Sequence, residues 1–326
     1  MSSPANLLLA DLASSGVKQI PTSYIRPISD RPNLSDVQIS DVPIPLIDLH
    51  GLNGPNHSLI IKQISQACGN DGFFQVKNHG IPEEMIGNVM NIARQFFNLP
   101  ASERLKSYSD DPTKNTRRDV AEYCTSIRGL VLKLLEAISE SLGLERDYID
   151  EKLGKHGQHM AMNYYPPCPQ PELTNGKWIA VNPIPNTFII NIGDQMQVLS
   201  NDRYKSVLHR AVVNCNKERI SIPTFYCPSK DAVIAPPKEL IDDDHPAVYR
   251  DFTYGEYYER FWNRGLQFLR RDLFGEAMKI FGYGSNHLWA KIREGRSMKS
   301  FVGDAHDDSE RDYEWRKGWW TVYHIS

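Results

Sequence analysis

Between Phe188 and Pro228 the chain reads FIINIGDQMQVLSNDRYKSVLHRAVVNCNKERISIPTFYCP, and this stretch restricts the fold more than any other. Three short runs, Phe188 to Ile192, Ser206 to Val213 and Ile220 to Cys227, are rich in β-branched or aromatic residues. Turn-forming Gly193-Asp194, Asn201-Asp202 and Asn214 to Lys217 separate them, a rhythm that predicts an antiparallel sheet. Side chains alternate across a strand, so Val207, His209 and Ala211 are expected on one face, and Arg219 and Ser221 on one face of the next run. With both faces inward, an imidazole, a guanidinium and a hydroxyl converge. His209 is then a candidate metal ligand, and Arg219 with Ser221 a candidate anion grip.

Composition narrows the setting. At 326 residues, 40% hydrophobic and 24% charged, the chain can bury one catalytic-sized core with appendages. A net charge of −3 and a pI near 6.4 supply no positive field for nucleic acid or anionic lipid. Five scattered cysteines, with no Cys-x-x-Cys, read as reduced thiols. Leu7 to Ala10 is too short for a signal-peptide core, and no run is long enough for a membrane span. A cytoplasmic monomer is expected.

In chain order, Met1 to about Asp41 reads as a surface arm, and Pro43 to Leu49 as an edge strand fenced by prolines. Ile60, Ile61, Ile64 and Cys68 mark a helical stripe ended by Gly69-Asn70; Gly72 to Lys77 is a strand, and Asn78 to Gly80 its turn. Met85, Val89, Ile92, Phe96 and Phe97 continue a helix up to Pro100. His79 beside its turn glycine reads as structural. Val120, Cys124, Ile127, Val131, Leu134, Ile138 and Leu142 form the most sustained periodicity, closed by Gly143. Asn163 and Tyr165 alternate onto one face of a strand, as a site for a small acid requires. Leu266, Leu269, Leu273, Ala277 and Phe281 predict one more helix, and beyond Gly282 a poorly ordered extension is expected. The organisation predicted is a helical N-terminal region over 1–150, a β domain over 151–265, and a tail over 266–326.

GDQMQVLSND at Gly193 to Asp202, YKSVLHRAV at Tyr204 to Val212, RISIPTFYCP at Arg219 to Pro228, NYYPPCPQPEL at Asn163 to Leu173 and the PxIDL word at Pro45 to Leu49 resemble the plant-type 2-oxoglutarate and Fe(II)-dependent dioxygenases. The resemblance implies a double-stranded β-helix, the cupin-like jelly roll, with N-terminal helices packed on it. It implies Fe(II) as metal and 2-oxoglutarate as co-substrate, oxidised to succinate while O₂ is spent on a small substrate, with ascorbate as accessory reductant. His209 takes the place of the distal iron ligand; Arg219 and Ser221 grip the far carboxylate; Asn163 and Tyr165 line that end of the pocket; Phe225 stands against the substrate. Within the family the wording is most like the downy mildew resistance type of salicylate hydroxylase and the flavone synthase group, which implies a phenolic substrate.

The chain also departs from that pattern. After Pro171-Glu172-Leu173 the resembled proteins supply His-x-Asp, two of their three iron ligands, and then a pair of strands. Here Thr174 runs straight into Asn175-Gly176-Lys177-Trp178. A second abrupt joint lies near Thr116-Arg117-Arg118. His306-Asp307-Asp308 lies in a polar run of the tail, Asp242 to His245 has loop composition and Asp194 reads as structural, so none replaces the missing ligands. The expectation is an internally shortened, incomplete jelly roll with unpaired strand edges, a product of splicing or of an incompletely read gene. Its oxygenase turnover is expected to be impaired, the alternative being a non-catalytic form that binds 2-oxoglutarate weakly or binds partner proteins.

Overall fold

The structure is a computed structural model that describes residues 15–20, 22, 25, 44–106, 118–170, 181–207, 209, 211, 213–264 and 320–325. After β1 (Leu46–Asp48) come α1 (His57–Asn70), β2 (Phe73–Lys77), α2 (Glu83–Phe97), α3 (Ala101–Lys106), α4 (Arg118–Ser141) and α5 (Tyr148–Leu153). Then follow β3 (Gly157–Met160), β4 (Asn163–Tyr165), β5 (Phe188–Ile192), α6 (Asp194–Leu199), β6 (Arg219–Cys227), β7 (Val233–Ile234), β8 (Phe252–Thr253), α7 (Tyr254–Arg264) and β9 (Trp320–Ile325). Seven strands make one sheet in the order β1-β2-β5-β9-β6-β3, with β4 also on β6, and β7 and β8 pair separately.

Alternation decides what each sheet face does. Phe74 and Val76 of β2, Phe188, Ile190 and Ile192 of β5, and Ile220 and Ile222 of β6 join one core with Ile60 and Ile64 of α1 and Ile127, Leu134, Leu135 and Ile138 of α4. Helices therefore cover that face. Phe73 and Ile189, pointing the other way, form a separate small cluster. The α4 stripe is as predicted, and past it Gly143 takes φ 78° while Leu144 N–H returns to Ser139 O at 3.0 Å, closing the helix end. Between β3 and β4 the ladder breaks at Ala161-Met162, beside Pro223 of β6, which has no N–H to give.

Three sequence expectations need correction. Ser206 to Val213 is not a strand at any of its described residues. Its backbone is engaged elsewhere: Lys205 N–H donates to Cys68 O at 3.0 Å and Ser206 N–H to Gln197 Oε1 at 2.7 Å, so no ladder begins. Gly193-Asp194 is the start of α6, where Asp194 sits in the positive first turn, rather than a hairpin turn. Finally, Trp320–Ile325, assigned to a poorly ordered tail, is a strand inside the main sheet, antiparallel to both β5 and β6. Unpaired strand edges are expected of the shortened sheet; the facing edges of β5 and β6 are paired through β9. The helix predicted over 266–281 lies outside the described residues.

All five cysteines are free. Among the described residues no helix is long and apolar enough to cross a membrane.

On the helix-covered side, Arg128 Nη2 donates to His156 Nδ1 at 3.1 Å, and His156 Nε2–H donates to Asp150 Oδ1 at 2.9 Å. The Arg128 guanidinium also lies 5.5 Å from the centre of the Tyr226 ring. Burial, then the Arg128 charge, lowers the His156 pKa below its ordinary 6.5, and Asp150 opposes this. His79 is lowered by burial as well. The unfolded chain then takes up these protons first, so stability falls as pH drops from about 6.5 toward the folded values. His57 acts oppositely, because the Leu52 carbonyl and Glu140 raise it; its contribution is full below about 6.5 and fades as pH climbs through the raised value. Denaturation midpoints measured from about pH 7.5 down to about pH 5.5 are expected to fall, and less steeply in a His156→Gln variant. Equal slopes would remove His156 from this account.

Candidate functional site

The face of the sheet not covered by helices carries the candidate residues. Asn163 and Tyr165 of β4 pair with Ser221 and Arg219 of β6, which places all four in a two-by-two block with Cβ atoms about 5 Å apart across the strands. The predicted parity holds. Ser221 is 2% exposed, while Arg219, Asn163 and Tyr165 are half-buried. The Arg219 guanidinium lies 4.8 Å from the centre of the Tyr165 ring, a cation–π contact that fixes its plane. Its Nη1 is buried and has no hydrogen-bond partner. A cation so placed is short of an anionic acceptor, and leaving a buried charged donor unmet costs upwards of about 1–3 kcal/mol.

His209 stands on the same face, at another point of it. Its Nδ1 lies 3.2 Å from Asn191 Nδ2 and 3.1 Å from Val207 O, and its ring meets Phe73 edge-on at 5.2 Å. Only one of these polar contacts can be satisfied by a given tautomer. Donation from Nδ1–H to Val207 O puts the ring's lone pair on Nε2; acceptance from Asn191 puts the proton there instead. Asn191 of β5 and Phe225 of β6 both pair with Thr321 of β9, so they share a row and a face. Arg219 is six residues along β6 from that row, which sets the backbones of Asn191 and Arg219 on the order of 20 Å apart. The imidazole and the guanidinium thus share a face without the close convergence the sequence suggested. Phe225 is 5% exposed and packs into the main core.

Asn191, 3% exposed, is the neighbour that sequence reasoning missed. The one signal was a lone amide inside the apolar run FIINI. Asp194 is structural as expected, accepting from Ser206 Oγ at 2.7 Å and from Tyr257 OH at 2.9 Å. His79 is too: Nδ1 accepts from Ile81 N–H at 3.1 Å, and Nε2–H donates to Asn186 O at 3.2 Å. The Asp242 Oδ1 atom closes its own turn by accepting from the backbone N–H of Asp244 and His245 and from the His245 ring.

Comparison with known proteins places the chain. Residues 44–142 match the family described as non-haem dioxygenase in morphine synthesis N-terminal, and residues 173–228 match the 2OG-Fe(II) oxygenase superfamily. The protein DMR6-like oxygenase 2 of Arabidopsis thaliana is 52% identical over 329 positions, covering 79% of this chain and 94% of the relative. The chain belongs to the plant 2-oxoglutarate and Fe(II)-dependent oxygenases. Flavanone 3-dioxygenase 2 of Oryza sativa subsp. japonica is 43% identical, covering 76% of this chain and 91% of the relative. The crystal structure of JOX2 in complex with 2OG, Fe and JA superposes with a TM-score of 0.70 at 30% identity, over 81% of this chain and 95% of that one. The fold is therefore the double-stranded β-helix of this oxygenase family, and Fe(II) and 2-oxoglutarate are the family's metal and co-substrate. Internal shortening is visible in the alignment: 79% of 326 residues is about 258, roughly seventy fewer than the 329 aligned positions.

The described residues suit the two family components unequally. An orphaned guanidinium N–H next to a serine, an asparagine and a tyrosine suits a carboxylate. Iron is not matched: among the described residues no three His, Cys, Asp or Glu side chains could hold a metal ion. His306-Asp307-Asp308 lies outside them.

Proposed function

We propose that this chain binds 2-oxoglutarate at Arg219, Ser221, Asn163 and Tyr165, and that it is an oxygenase hydroxylating or desaturating a small phenolic whose turnover is impaired. The observation that carries the reading is the buried, unpartnered Nη1 of Arg219. A planar fork receives a carboxylate through two parallel hydrogen bonds, and the Ser221 hydroxyl and Asn163 amide add donors from the neighbouring strand positions. The Tyr165 ring orients the guanidinium. These residues bind and orient the co-substrate; the chemistry of O₂ activation belongs to the iron, for which His209 is the one ligand we assign. A single imidazole neither retains Fe(II) nor fixes its geometry, which is why we expect impairment.

A flavonoid-class substrate is supported by the name of one relative, flavanone 3-dioxygenase 2, and salicylate is kept beside it from the sequence resemblance to the downy mildew resistance type, whose member downy mildew resistance 6 is 42% identical over 334 positions. Phe225 is our candidate for contact with that ring. The second reading, a non-catalytic binder of 2-oxoglutarate or of partner proteins, draws on the same lack of a metal cluster among the described residues. A cytoplasmic monomer is the setting we expect. Titrating Fe(II) and 2-oxoglutarate together without oxygen, and then admitting oxygen, tests the proposal: a weak or absent anaerobic charge-transfer band with retained 2-oxoglutarate binding, and little succinate once oxygen is present, fits impairment. A full-strength anaerobic band followed by stoichiometric succinate on admitting oxygen would overturn it, and no 2-oxoglutarate binding at all would overturn the anion site.

A further inference from the structure

The candidate site is split between two strands that do not touch. Asn191, which holds His209, is on β5; Arg219, Ser221 and Phe225 are on β6, with Asn163 and Tyr165 beside them on β4. Among the described strands of the sheet, β9 alone connects the two halves. Its register covers the full distance: Thr321 pairs with Asn191 and Phe225, Tyr323 with Ile189 and Pro223, and Ile325 with Ser221. The other link along the sheet, from β5 through β2 to β1, leads away from β6. Neighbouring strands sit about 4.8 Å apart, so without β9 a slot roughly 9.6 Å wide separates two open edges.

The partner that fills this slot comes from far along the chain. The segment 265–319 lies between α7 and β9, while the strands it joins end at Ile192 and Cys227. The pattern of the local sequence does not produce this closure, and the two internal joints lie well before it.

We infer that Trp320–Ile325 is a positioning strand for 2-oxoglutarate binding: by pairing with β5 and β6 at once it sets the spacing of the anion grip from the His209 half of the site. This rests on the co-substrate reading given above. In that reading, Arg219 and Ser221 occupy the end of β6 that pairs with Ile325, and they keep their alignment with Asn163 and Tyr165 only while β6 is held on both sides.

Val322 tests it through the backbone. It pairs with Ile190 and Thr224, and proline there removes the N–H that a ladder needs, whereas alanine keeps it. In the full-length protein, Val322→Pro is expected to weaken 2-oxoglutarate binding at least tenfold by calorimetry, and Val322→Ala to stay within about twofold. Amide hydrogen exchange is expected to show protection lost across β5 and β6 in the proline variant and kept in α1 and α4. Unchanged affinity and unchanged β5 and β6 exchange in Val322→Pro would overturn the inference. So would protection lost throughout α1 and α4, which would make β9 a general prop of the fold. If β5 and β6 lose protection while neither parent nor Arg219→Ala binds 2-oxoglutarate, the strand coupling stands as a structural fact, and the co-substrate reading and the positioning role fall together.

Discussion

Replacing Arg219 with alanine is expected to weaken 2-oxoglutarate binding roughly a hundredfold, about 3 kcal/mol, with the helical and sheet signals of the protein intact. The magnitude follows from what is removed: a charge-assisted, two-pronged contact in a half-buried setting, made by a cation whose Nη1 has no other acceptor. Relieving that unmet donor favours the empty variant, so thermal stability is expected to be equal to or slightly above the parent's. Lysine is expected to recover little affinity, because a point charge on a flexible stem cannot match the fork or stack on Tyr165. Calorimetry with 2-oxoglutarate, and with succinate as a second dicarboxylate, is the measurement. Affinity undiminished in both variants would mean that the guanidinium is not the anion anchor.

Gly72→Ala is expected to destabilise the chain by about 3 kcal/mol or more, since among the described glycines an added Cβ meets its closest contact here. Gly72 has φ 65°, where an L side chain costs about 1–2 kcal/mol. A Cβ there would also meet Lys205 O at 2.3 Å and Val207 Cγ2 at 2.7 Å, and the first of these is backbone that cannot swing aside. Gly72 O accepts from Ile192 N–H at 2.9 Å, and Lys205 N–H donates to Cys68 O, so β2, β5 and the approach to His209 are all tied to this corner. Urea denaturation is expected to show a lower midpoint with an unchanged slope, and the His209 ring resonances to move in NMR spectra. A midpoint within error of the parent would show that the 205–207 segment yields easily.

How far these features could be read from residues alone depended on the range of the interactions. The stripe from Val120 to Leu142 is local, and α4 followed from it. So did β5 and β6, whose β-branched runs are buried on both faces. The shared face of Asn163, Tyr165, Arg219 and Ser221 follows from alternation once two strands exist. Ser206 to Val213 has the same propensity as its neighbours, but no strand starts at its described residues, where the N–H groups of Lys205, just before the run, and of Ser206 are already committed to Cys68 and Gln197. The six residues of α6 are too few to show a helical period. WTVYHI was passed over because nothing near it in the chain resembles a partner; its partners lie about a hundred residues earlier, and no local pattern encodes such a pairing.

The position of β9 also sets an order of events during synthesis. β5 and β6 emerge from the ribosome together with α6, but the strand that joins them follows only after the whole of 228–319 has been translated, roughly 5 to 20 seconds later at ordinary elongation rates. For that interval each nascent molecule displays two unsatisfied strand borders facing one another, in reach of any neighbouring chain on the same message. Yield of active protein should accordingly depend on translation speed through that segment and on the supply of chaperones able to hold the half-made barrel.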